Sequence, residues 1–67
     1  MAKNIRMTRN GKTVSVRVRP VGQAFGVVGE VVARNGRVIA TTKTYPHGFD
    51  QSARQAAMNL VIFAEAV

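Results

Sequence analysis

The chain has 67 residues, with ten Lys and Arg against three acids, a net charge of +7, and no cysteine. Its length supports one domain spanning residues 1–67, whose core buries only ~60% of the surface exposed in the unfolded chain. Lack of cysteine excludes disulfides and leaves a zinc cluster nearly without ligands.

The charge is unevenly placed. Residues 1–44 hold nine basic residues and one acid, Glu30, a net of +8, whereas residues 45–67 hold Arg54 against Asp50 and Glu65, a net of −1. A field of that kind gathers polyanions near the surface and speeds their encounter. Met1-Ala2-Lys3-Asn4 leads directly into alternating residues without an apolar leader, and the longest apolar run, Leu60 to Ala64, is far shorter than the ~20 residues of a membrane span. A soluble, cytoplasmic protein with no membrane partner is expected.

Asn10-Gly11 and Asn35-Gly36 each sit between alternating runs, which predicts two β-hairpins. A type I′ turn requires positive φ at both central residues, which Asn tolerates and Gly adopts freely. A two-residue loop at Asn10-Gly11 pairs Arg9 with Lys12, Thr8 with Thr13, Met7 with Val14, Arg6 with Ser15 and Ile5 with Val16. Apolar meets apolar and polar meets polar, and a one-residue slip would destroy that match. Pro20 to Gly26 is expected to be a turn-rich connector, with Pro20 ending strand pairing.

The same loop at Asn35-Gly36 pairs Arg34 with Arg37, Ala33 with Val38, Val32 with Ile39, Val31 with Ala40 and Glu30 with Thr41. One face (Val27, Gly29, Val31, Ala33, Val38, Ala40) is small and apolar and suits a closely packed helix. The opposite face is mixed, and its Val32 and Ile39 need cover or a partner. After the loop Tyr45 to Phe49, whose aromatic residues are expected to seal the sheet–helix junction, a helix is predicted. It starts with Asp50 as N-cap, or with Ser52 and Gln55 as a capping box. Its apolar stripe is Ala53, Ala56, Ala57, Leu60, Val61, Ala64 and Val67. Met58 and Ile62 fall outside that stripe, so the last turns are apolar nearly all round. The fold class is therefore α+β: an antiparallel sheet of three to four strands packed on one C-terminal helix. A homodimer or partner interface at Val32, Ile39, Met58, Ile62 and Phe63 would cover the excess apolar surface.

Catalysis is poorly supplied. His47, Asp50 and Ser52 crowd one loop and helix start, where Asp and Ser already suit capping, and a triad needs a buried, oriented chain with an oxyanion site. Gly22 to Gly26 lacks the Lys-Ser/Thr of a phosphate loop. No enzyme activity, cofactor, metal or small-molecule substrate is expected. The basic strands carry the functional signal. Arg17 and Arg19 alternate onto one face about 7 Å apart, close to phosphate spacing. Thr8, Thr13 and Ser15 add hydroxyl donors, and a two-stranded ribbon fits the DNA major groove. The seven arginines outnumber the three lysines, and the arginine fork suits phosphate. Charges on an exposed sheet also resist edge aggregation, but this excess surpasses the net ~2–8 that solubility asks of a small domain. The four aromatic residues do not interleave with the basic ones, which disfavours single-strand stacking. The expected function is binding of nucleic acid, duplex DNA favoured, through Arg6, Arg9, Lys12, Arg17, Arg19, Arg34, Arg37 and Lys43. The alternative is a protein-interaction module that docks an acidic or apolar partner.

The segment Ala33-Arg34-Asn35-Gly36-Arg37-Val38-Ile39-Ala40-Thr41-Thr42-Lys43-Thr44-Tyr45, followed by a helix with Ala53, resembles the YegP-like family of small bacterial domains over about residues 27–61. The resemblance implies a sheet-plus-helix unit and departs at Gly29, where that family tends to have an aromatic residue. Strands followed by a helix also look like the DNA-binding domains of phage-type integrases and plant AP2 factors, a likeness of architecture that implies DNA reading by the exposed sheet face.

Overall fold

The computed structural model describes residues 4–22 and 26–63. The elements are β1 (Ile5–Arg9), β2 (Lys12–Val21), β3 (Gly26–Ala33), β4 (Val38–Thr41) and α1 (Asp50–Ile62). The strands form one antiparallel sheet in the order β1-β2-β3-β4, and α1 packs chiefly on β3 and β2. The fold is thus α+β, a four-stranded meander and one helix. No helix among the described residues is long and apolar enough to cross a membrane.

The first hairpin has the expected register at all five pairs, from Ile5–Val16 to Arg9–Lys12. Asn10 and Gly11 adopt φ of 53° and 76°, the left-handed pair of a type I′ turn. The second Asn-Gly is used differently. Gly36 has φ of 90°, while Asn35 is not among the residues of positive φ. Gly36 N–H donates to Ala33 O at 2.9 Å, and Ala33 N–H donates to Arg37 O at 2.7 Å. This is a three-residue loop, a turn through Arg34 and Asn35 closed by a left-handed glycine. The Asn35 carboxamide accepts the Arg37 N–H at 3.0 Å, which favours this shape over the two-residue one. Val32 consequently pairs with Val38 and not Ile39, and an irregularity next to that pair restores the expected Val31–Ala40 and Glu30–Thr41 pairs.

Pro20 does not end the pairing. It lies inside β2 opposite Val27, with the segment 23–25 of the expected connector outside the described residues. Val27 exchanges its own backbone bonds with Tyr45 at 2.8 and 2.7 Å, so this register pair asks no N–H of Pro20. On its other side β2 has no described partner beyond Val16, the edge-like setting that proline tolerates.

The helix start also differs from expectation. Phe49 occupies the N-cap position without a side-chain cap, and neither Asp50 nor Ser52 serves as one. A tight turn through Gly48 (φ 89°), closed by Phe49 N–H on Pro46 O at 3.1 Å, delivers the chain directly into the helix. Asp50 falls in the first turn, where its charge complements the helix dipole. Ala53, Ala57 and Val61 are the buried residues of α1; Ala64 and Val67 lie outside the described residues.

The core joins Val14, Val16 and Val31 to Ala57 and Val61, with Ile5, Met7, Ala40, Met58 and Leu60 packed against it. Met58, expected at a partner interface, therefore supports the protein's own core. Gly29 governs the approach of the helix. A Cβ there would overlap the carbonyl of Ala53 and stand 2.9 Å from Ala57 Cβ. The strand behind it is held by Thr42, whose N–H donates to Gly29 O at 2.9 Å and whose Oγ1 accepts the Gly29 N–H at 2.9 Å.

Two substitutions test this contact. Gly29→Ala is expected to cost ~3 kcal/mol or more by overpacking, and Ala57→Gly should not restore it, since the Ala53 backbone still obstructs. Thr42→Val is expected to cost about 1–3 kcal/mol by leaving the Gly29 N–H unpaired. Urea denaturation monitored by circular dichroism measures both.

Candidate nucleic-acid interface

Strand alternation that turns Val14 and Val16 toward the helix turns Thr13, Ser15, Arg17 and Arg19 to the opposite, open face. Register adds Arg6 opposite Ser15 and Thr8 opposite Thr13, with Thr8 and Thr13 hydroxyls 3.3 Å apart. Both hairpin turns fall at one end of the sheet, because β2 leaves the first turn beside the end of β3, with Val14 opposite Ala33. Exposed Arg9, Lys12, Arg34 and Arg37 cluster around those turns. Lys43 stands apart from them, beyond the end of β4, with Nζ 5.3 Å from the Tyr45 ring centroid, a cation–π geometry.

Arg17 and Arg19 are engaged within the molecule. Arg17 Nε donates to Glu30 Oε1 at 2.8 Å, and Arg19 Nε donates to Glu30 Oε2 at 2.7 Å. Glu30 is only 4% exposed on the central strand, while the two arginine side chains are 40% and 49% exposed. Each carboxylate oxygen thus has its own charge-assisted bond. Burial pushes the Glu30 carboxyl up, but the Arg19 and Arg17 bonds and charges outweigh it and hold it below its ordinary value of 4.5. The trio carries a net +1, half of what the two arginines would present alone.

Sequence reasoning counted Glu30 as a lone acid and missed this clamp. The signal was there in principle: Arg17 sits directly opposite Glu30 and Arg19 opposite Val28. Finding it required the β2–β3 register, which the supposed break at Pro20 concealed.

Two shallow depressions lie at the hairpin end. One is lined by Arg6, Thr13, Ser15, Ala33 and Arg34. The other lies among Lys12, Thr13, Arg34, Asn35 and Ile39 at the turns. Of the residues expected to need a partner, Val32 is buried within the monomer at 7% exposure, whereas Ile39, Ile62 and Phe63 are exposed, Phe63 at 68%. Phe49 does not seal the sheet–helix junction; it is exposed, and Tyr45 alone bridges to β3. Among the described residues no cluster of His, Cys, Asp or Glu is arranged to hold a metal ion.

No family model, curated protein or solved structure matches this chain.

The clamp gives a defined acid response. Because the Glu30 carboxyl is lowered in the folded protein from its ordinary value of 4.5, its stabilisation is complete above that unfolded-state value and is lost as pH falls through the folded value. Glu30→Gln is expected to flatten the loss of melting temperature below about pH 4.5. Removing both arginines should cost more at pH 7 than Glu30→Gln, since it strands a buried carboxylate. The cost is on the order of 2 kcal/mol, discounted for the solvent-screened guanidinium groups.

Proposed function

We propose that this protein binds nucleic acid, duplex DNA in preference, through phosphate contacts made by the open sheet face and the paired hairpin turns. The observation that carries this reading is the charge layout. Arg6, Arg9, Lys12, Arg34 and Arg37 lie at or near one end of the sheet, and among the described residues the ion pairs are those of Glu30 with Arg17 and Arg19. Hydroxyls of Thr8, Thr13 and Ser15 lie between the arginines as further phosphate donors. The architectural likeness to the sheet-plus-helix domains of integrases and AP2 factors agrees with contact through this face, and a cytoplasmic setting suits such a partner. The resemblance of residues 27–61 to YegP-like domains belongs to the same proposal for the fold unit and adds no activity.

The exposed Ile39, Ile62 and Phe63 favour a second role for the apolar surface, docking of a second copy or another apolar partner. A dimer would also present two basic ends to one duplex.

Titration of random-sequence duplex DNA at several salt concentrations tests the main reading. Log affinity should fall linearly with log salt at about −0.9 per phosphate neutralised, and the duplex should bind more tightly than single strands or RNA of equal length. Absence of binding at low salt overturns the proposal. Light scattering on the eluting protein gives the mass, and a monomer at all concentrations would remove the dimer.

A further inference from the structure

The clamp divides the arginines of the open face into two classes. Arg17 and Arg19 spend their Nε donors on Glu30 at 2.8 and 2.7 Å, and Arg19 Nη1 also reaches Pro20 O at 3.4 Å. Arg6 and Arg34 are not in the described ion pairs, and together with Thr13, Ser15 and Ala33 they line one depression. The register explains how they meet. Arg6 on β1 lies opposite Ser15, and extension of the β2–β3 pairing beyond Val14–Ala33 brings Arg34 abreast of Thr13. Two cations therefore flank two hydroxyl-bearing residues of the intervening strand. Strands are ~4.8 Å apart, so β1 and β3 stand roughly 10 Å apart across β2. That span allows two arginine forks to converge on one phosphate group.

Resting on the proposed function, we infer that the depression between Arg6 and Arg34 is the principal seat for a backbone phosphate, with Thr13 and Ser15 hydroxyls as its floor. Arg17 and Arg19, held by Glu30, contribute to the fold more than to binding. The ligand group is a phosphodiester monoanion, whose two non-bridging oxygens can each accept from one of the convergent guanidinium forks. The turns at Gly11 and Gly36 lie at the same end of the sheet as the seat, so the exposed Lys12 and Arg37 add positive charge beside it.

A charge-matched comparison tests the inference. Arg6→Ala with Arg34→Ala, and Arg17→Ala with Arg19→Ala, each remove two positive charges, so bulk attraction alone predicts equal losses. The seat predicts that the first pair weakens duplex binding roughly tenfold and lowers the salt slope by about 0.9, the value for the one phosphate that both forks share. The second pair should lower melting temperature with a clearly smaller loss of affinity. Should that pair fail to fold, Arg6→Ala and Arg17→Ala as single variants make the same comparison. Amide shifts on titration with a short duplex give an independent readout. Shifts centred on Thr13, Ser15 and Arg34 support the seat, and shifts centred on Arg17, Arg19 and Glu30 overturn it. Equal losses, or a larger loss from the Arg17 and Arg19 pair, overturn the seat while leaving DNA binding in place. Failure of the wild-type protein to bind duplex overturns the proposed function itself.

Discussion

The helix rests directly on the backbone of the sheet at Gly29, and the rest of the molecule depends on that approach. Because the strand offers no side chain there, α1 meets it with alanines at Ala53 and Ala57 and its carbonyl of Ala53 lies where a Cβ would project. A short separation lets a thirteen-residue helix cover a core made largely of valine and alanine, which would leave voids under a more distant helix. Gly29 is bound on its other side by Thr42, which supplies both a backbone donor and a hydroxyl acceptor. One glycine is thus fixed from the helix side by shape and from the strand side by hydrogen bonds.

With one face committed to the helix, the other must accommodate what the central strand carries there. Val28, Glu30 and Val32 are all buried although they point away from the helix. Arg19 lies opposite Val28 and Arg17 opposite Glu30, and long arginine stems shield apolar surface while their heads stay in water. The clamp therefore does two things with one set of side chains. It compensates a buried carboxylate, and it roofs a strand that has no second layer above it. A net-positive face results even after one charge is cancelled.

Much of this arrangement was legible in the sequence, and the failures have identifiable causes. Alternation fixed the first hairpin pair by pair because both strands have a strict polar–apolar period and the turn is the two-residue kind. The small face of β3 announced close helix packing, and Gly29 lies at its centre. The second Asn-Gly misled because an identical dipeptide supports two loop shapes, and the choice turned on a bond from Asn35 to Arg37 that no periodicity reveals. The offset was local, since the irregularity beside Val32 returned the strand to its expected partners. The clamp was invisible for another reason: it is a contact across thirteen positions of sequence, set by a strand pair whose connecting turn gave no register. Pro20 ordinarily ends pairing, whereas here it is harmless because Val27 opposite it takes its backbone bonds from Tyr45 and asks no N–H of the proline.

The irregular β4 has a consequence for the protein's behaviour in a crowded solution. A sheet that ends in a long, regular, apolar strand offers its unpaired backbone to any other strand and invites unlimited growth. Here the edge strand beside β3 is only four residues long, Val38–Thr41, and its spacing is broken beside Val32. An incoming strand would find matching donors and acceptors over only a short stretch before the phase is lost. The irregular edge thus limits strand addition on the β4 side, where Val38 and Ile39 are exposed.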